Sequence, residues 1–198
     1  MTDTTCNIDP QRSALLMMDY QNGIVSSVDD ADGLLSRAAA AVVLVRARGA
    51  RIGYVRVAFT DADYEAIPQT SPMAGMVTPE RRQAMHADSP VTAVHERLAP
   101  EAGDIAVRKT RVGAFSTTDL DQQLRAAGVT TLVLAGIATS GVVLSTVRDA
   151  ADRDYRVVVL ADACADHDPE VHAVLTEKVF PRQARVLTVA GLAGELGS

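Results

Sequence analysis

Asp19 ends the apolar run Ala14-Leu15-Leu16-Met17-Met18, which reads as a central parallel strand buried on both faces. A carboxylate at that strand's carboxyl end lies on the edge where open α/β sheets bind ligands, so Asp19 is a candidate for acid–base chemistry. Its other reading is a turn-capping residue within DYQNG, because Asn22-Gly23 is a turn signal. A second group follows the strand that begins at Asp104. Within Arg108-Lys109-Thr110-Arg111 a period of two puts Lys109 and Arg111 on one face, where two cations would look into one cleft and hold an anion. A solvated basic strand end is the plainer alternative. The third group is Ala138-Thr139-Ser140-Gly141, a tight connection in which Thr139 or Ser140 caps a helix starting near Gly141. Backbone N–H groups around Gly141 and Val142 would there face an anion or a developing oxyanion.

Other chemistry-bearing residues are less well organised. Asp61, Asp63, His86 and Asp88 are scattered through residues 60–90 without metal-ligand spacing, so no metal is expected. Arg56 reads as a strand arginine facing solvent or an ion pair. The two cysteines, Cys6 and Cys164, cannot form a disulfide framework; Cys6 falls in a polar arm and Cys164 reads as a small buried hydrophobe. No cofactor is expected.

The elements that must position these groups alternate along the chain. Leu34, Leu35, Ala38, Ala41, Val42 and Val45 recur at helical spacing and are closed by Gly49; Arg51 to Phe59 reads as a strand. Residues 60–90 are rich in Pro, Gly, Ser and Met with no sustained period, which suggests a functional loop or lid. A short helical segment spans Val91 to Leu98, and a further helix is capped by Ser116 or Thr117. Leu132 to Ile137 and Val157 to Leu160 flank a crossover helix as a βαβ unit. A last helix from Pro169 to Phe180 precedes a strand from Ala184 to Val189. Six alternations predict one α/β domain over residues 1–198, a parallel sheet with helices on both faces, preceded by a flexible arm over residues 1–12.

Composition narrows the partners. A chain of 198 residues with 47% hydrophobic content supports one well-buried core. A net charge of -6, no tryptophan and few other aromatics leave neither a basic field nor a stacking platform for nucleic acid. No apolar stretch reaches the roughly 18–20 residues of a membrane span, and MTDTTCNIDPQRS has no signal-peptide core, so the protein is expected to be cytoplasmic.

Across nearly its whole length, from ALLMMDYQ through VRKTRVGAFSTTDL to GIATSGVVLSTVRDAADRDYRVVVLADACAD, the chain resembles the isochorismatase-like hydrolases, also called the cysteine hydrolase superfamily. The resemblance implies a Rossmann-like three-layer fold with strand order 3-2-1-4-5-6, assembled as a homodimer or higher homo-oligomer. It implies that Asp19, with Gln21, is the catalytic Asp of the family's D-x-Q, and that Lys109, followed by Phe115, is the catalytic Lys. Gly136 and Thr139 match the third motif, but its cysteine position holds Val142. This puts amidase chemistry through a thiol in doubt and turns attention to family members that lack the cysteine and hydrolyse a vinyl ether.

In that chemistry Asp19 would be the general acid and Lys109 would orient a small anionic substrate. Gln21, Arg111, Phe115, Ala138, Thr139 and Gly141 would contact it. Burial raises the pKa of Asp19 and Lys109 lowers it; the sequence leaves that balance open. The alternatives are an amide or ester hydrolase in which Asp19 activates water, and a non-catalytic binding or assembly protein that has lost the nucleophile.

Overall fold

Every residue of β1 (Ser13–Met18) is buried, and its side chains alternate between two apolar clusters. Leu15 and Met17 enter one with Leu34, Leu35, Ala38 and Val45; Ala14, Leu16 and Met18 enter the other with Leu120, Leu124 and Val147. A strand contributing to two cores must lie inside the sheet with a layer on each face. The computed structural model, which describes residues 8–98 and 100–196, has that architecture. Its strands are β1, β2 (Arg51–Val57), β3 (Ile105–Lys109), β4 (Thr131–Ile137), β5 (Arg156–Ala165) and β6 (Arg185–Leu187). They form one sheet in the order β3-β2-β1-β4-β5-β6, and every pair is parallel.

Among the described residues eight α-helices accompany them: α1 (Asn22–Val25), α2 (Ala31–Ala47), α3 (Asp61–Glu65), α4 (Pro79–Ala84), α5 (Leu120–Ala126), α6 (Leu144–Asp152), α7 (Pro169–Val174) and α8 (Val189–Glu195). The first cluster lies under α2 and α8, the second under α5 and α6. Burying each Leu of these faces contributes about 1.5–3 kcal/mol.

Several details differ from the sequence reading. Residues 8–12 are not a loose arm: Ile8 is buried and its N–H donates to Glu195 O at 2.7 Å, while Asp9 caps a 3-10 turn at Pro10–Arg12. Residues 1–7, with Cys6, lie outside the described residues. Residues 60–90 are not structureless, for they carry α3, α4 and a parallel bridge between Phe59 and His86. The predicted helix at Val91 to Leu98 is two 3-10 turns, Pro90–Thr92 and Glu96–Leu98. β5 runs past Leu160, through a register shift opposite Leu134 and Gly136, so Cys164 lies inside the strand and pairs with Gly136. No helix among the described residues is long and apolar enough to cross a membrane.

Candidate active site

Asp19 follows β1 directly and turns the chain away from the sheet, adopting φ 60° while its N–H still donates to Val55 O at 2.8 Å. Asp is among the few residues that tolerate this left-handed region. Tyr20, buried, fixes the next position by donating its hydroxyl to Ala163 O. Lys109 ends β3 opposite Val57. Its side chain lies on the face of Val107, toward the second cluster. Lys109 Nζ reaches Asp19 Oδ2 at 2.8 Å, and the two side chains are only 3% and 7% exposed. Lys109 Nζ also donates to Arg111 O at 3.2 Å.

Asp19 Oδ1 is buried and has no hydrogen-bond partner among the described residues. Burial pushes the Asp19 carboxyl up to about 6, against the lowering pull of Lys109 and the smaller one of the Val57 backbone N–H, which itself donates to Gln21 Oε1. Of the two opposed effects, desolvation therefore wins. A buried carboxylate with one unsatisfied oxygen is costly, and taking up a proton or a hydrogen-bond-donating ligand relieves it.

Gln21 does not offer its amide to a ligand. Its NH2 donates to Val57 O and Thr92 O, both at 2.9 Å, and its oxygen accepts from Val57 N at 2.7 Å. Both donor hydrogens are spent on backbone, so Gln21 pins the end of β2 beside Lys109. Arg111 also departs from its expected place. β3 stops at Lys109, so alternation does not carry Arg111 onto the same wall; its guanidinium donates to Thr110 O at 2.7 Å and its carbonyl steadies Lys109. Phe115 is turned into the second cluster and stacks on Tyr155 with ring centroids 6.1 Å apart. Tyr155 precedes β5, which places that ring toward the amino end of the strand, away from the carboxyl edge. Arg56 is held by Ala87 O, and Arg108 pairs with Asp63 at 2.6 Å.

The turn after β4 is built differently from a capped helix start. The Ile137–Ala138 peptide is cis, and Thr139–Val143 forms a wide π-type turn running into α6. Neither Thr139 nor Ser140 caps it through its side chain. Thr139, fully buried, places its hydroxyl 2.8 Å from His172 Nδ1, while the Ser140 N–H donates to Asp166 Oδ2 at 2.7 Å. The Gly141 N–H is directed at Ala138 O at 3.1 Å, so one of the expected oxyanion donors is engaged. Gly136 makes the close approach possible, since a Cβ there would lie 3.0 Å from Met18 O and 3.1 Å from Val143 Cγ2. Val142 is buried in the second cluster, in company with Met18 and Val143. Cys164 is buried, and desolvation pushes its thiol up to about 12.

Asp166 and His172, which the sequence reading does not single out, hold the turn after β4 through Ser140 and Thr139. Asp166 follows β5 as Asp19 follows β1, so the same strand-end argument would have found it. Burial lowers the His172 pKa, with Asp166 working in the opposite direction. Asp61 pairs with Arg82 and Asp63 closes a capping box with Thr60; among the described residues no three His, Cys, Asp or Glu side chains gather as a metal site. The broad groove of about 520 Å³ lined by Asp61, Arg82, His86 and Asp88 includes neither Asp19 nor Lys109.

Comparison with known proteins gives the family and the fold. Residues 13–191 match an isochorismatase domain. The chain is 36% identical to the uncharacterized isochorismatase family protein YwoC of Bacillus subtilis, over 90% of both chains. It is 35% identical to the ureidoacrylate amidohydrolase RutB of Methylobacterium radiotolerans, over 82% of this chain and 70% of that one. An isochorismatase family protein from Burkholderia thailandensis superposes with a TM-score of 0.82 at 29% identity, covering 97% of this chain and 98% of that one.

Proposed function

From the premise that the chain belongs to the isochorismatase domain family, we propose that it hydrolyses a small anionic metabolite without a protein thiol, by vinyl-ether-type chemistry. It is an isochorismatase-family hydrolase; the bond and the roles of its residues are our reading. One observation carries it: Asp19 keeps an unpartnered, buried Oδ1 while its pKa stands near 6, so it can hold a proton and pass it on close to neutral pH. Protonated Asp19 gives that proton to the enol-ether carbon. The C–H bond forms as the double bond is spent, leaving an oxocarbenium ion, and water adds to the ether-bearing carbon. Loss of a proton from that water restores Asp19, and the resulting hemiketal breaks to a carbonyl compound and an alcohol. Lys109 orients the anionic substrate and sets how readily Asp19 ionises. Thr139 and Ala138 form the turn beside them.

Val142 supports the thiol-free route, because the residue at the family's nucleophile position has no acyl-accepting atom. A second reading, an amide or ester hydrolase in which ionised Asp19 activates water, draws support from the similarity to the amidohydrolase RutB. Assay of isochorismate, simpler vinyl ethers, small amides and small esters separates the two. Turnover of enol ethers alone supports the first, turnover of amides or esters the second, and binding without turnover the non-catalytic role. We further propose a cytoplasmic homodimer or higher homo-oligomer, testable by fractionation and light scattering.

A further inference from the structure

We infer that a small apolar pocket beyond the end of β2, lined by Phe59, Tyr64, Met73, Val77, Arg81 and Met85, receives the apolar end of the substrate whose reacting bond lies at Asp19 and Lys109. The inference rests on the proposed function for the identity of the reacting site, and adds to it the class of substrate.

The pocket joins the dyad through β2. Val55 and Val107 face the second cluster, so alternation puts Val57 and Lys109 on that same face at the carboxyl edge. The chain stays extended beyond Val57. Ala58 N–H donates to Lys109 O at 3.3 Å, Phe59 N–H to Met85 O at 3.0 Å, and Ala87 N–H to Phe59 O at 2.8 Å. Phe59, two residues on, therefore continues the Lys109 face, on the order of 7 Å beyond Val57 at the strand rise. That advance along β2 sets Phe59 one step outward from Lys109 on the same face. Gln21 and Arg108 fix the connection, Gln21 through Val57 and Arg108 through Ala58 O and Asp63.

Size and lining define the ligand. The cavity holds about 130 Å³, close to the ~150 Å³ of an apolar cavity that accommodates benzene. Phe59 is buried and stacks with Tyr64 at a centroid distance of 4.9 Å, giving one rigid wall. Met73 and Met85 give adaptable walls, whose thioethers contact ring edges favourably. Arg81 is exposed and marks the solvent side. The pocket thus selects a substrate whose apolar end is a five- or six-membered ring or a branched chain of similar bulk.

The test is methyl NMR of the whole protein with 13C-labelled methionine, titrated with benzoate, cyclohexanecarboxylate and acetate. Both ring acids should move the Met73 and Met85 signals saturably, with acetate leaving them in place. Met85→Trp, which fills the cavity, should weaken that response by about tenfold or more; if this variant fails to fold, Val77→Phe serves the same purpose. The inference is overturned by silence of both methionines toward both ring acids, by a response confined to Met17 and Met18, or by an undiminished response in a folded pocket-filling variant. Signals that move with protein concentration and resist both ring acids would also overturn it, by placing a second copy of the chain in the pocket. Asp19→Asn should leave ring-acid binding intact, so failure of the acid mechanism and failure of the pocket are read separately.

Discussion

Lys109 Nζ stands 2.8 Å from Asp19 Oδ2 although Lys109 ends β3 and Asp19 follows β1, two strands separated by β2. The lysine's four-carbon stem spans that gap on the face of the second cluster. The pairing neutralises one carboxylate oxygen and leaves the other unpartnered. Asp19 is thereby poised between ion pair and acid.

Removing the cation should move that balance in one direction. Because the Lys109 charge lowers the Asp19 pKa, Lys109→Met should raise it above its value of about 6, read from the Asp19 carboxyl carbon by NMR. An unchanged or lower value would mean that the pair does not govern the titration. The stability consequence has a definite sign. A carboxyl whose folded-state pKa is raised contributes stability that is fully present below its unfolded pKa, about 3.9. That contribution is lost as pH rises through about 6. Across this window the wild type should lose melting temperature relative to Asp19→Asn.

Gln21→Leu should destabilise the protein by about 2–4 kcal/mol, because it strands Val57 N, Val57 O and Thr92 O without the partner that satisfies them. Chemical denaturation checks this. A denaturation midpoint equal to the wild type's would show that the Gln21 amide does not pin β2.

The Thr139–His172 contact should make the fold sensitive to acid. Burial lowers the His172 pKa, so its unfolded form takes up protons first, and this contribution falls as pH drops below the unfolded value of about 6.5. His172→Gln should flatten this part of the melting-temperature profile. An unaltered profile would place the acid sensitivity elsewhere.

Turnover should not depend on a thiol. Cys164 is buried with its thiol pushed up to about 12, so N-ethylmaleimide should react with it slowly in the native protein, and Cys164→Ala should retain activity. Complete loss on alkylation, reproduced by Cys164→Ser, would overturn the thiol-free mechanism.

The residues show why some parts of this structure are readable in one dimension and others are not. β1 is legible because a strand buried on both faces needs apolar residues at every position, and Asp19 stands out where that pattern breaks. β5 is legible only to Leu160, because the register shift and the mixed residues of ADACA hide its second half. The backbone partners of Gln21, Val57 and Thr92, lie 36 and 71 residues away in sequence, beyond the reach of any local pattern. Arg111 is misplaced by extending a period of two past the end of β3, and Thr139 by taking a hydroxyl at a helix start for a cap when its partner is His172. Local pattern reveals burial; it does not reveal which distant polar group meets which.

The central claim, that Asp19 supplies the proton, is tested most directly by the pH dependence of kcat for wild type and Asp19→Asn, on whichever substrate the assay panel identifies. The account predicts that wild-type turnover falls as pH rises past about 6, since only the protonated carboxyl donates. Asp19→Asn should be about 10²–10⁴-fold slower, with substrate binding unchanged or tighter. Equal turnover by an Asp19→Asn protein with an unchanged melting curve would contradict it, as would a wild-type rate that rises through the same pH, which would make Asp19 a base.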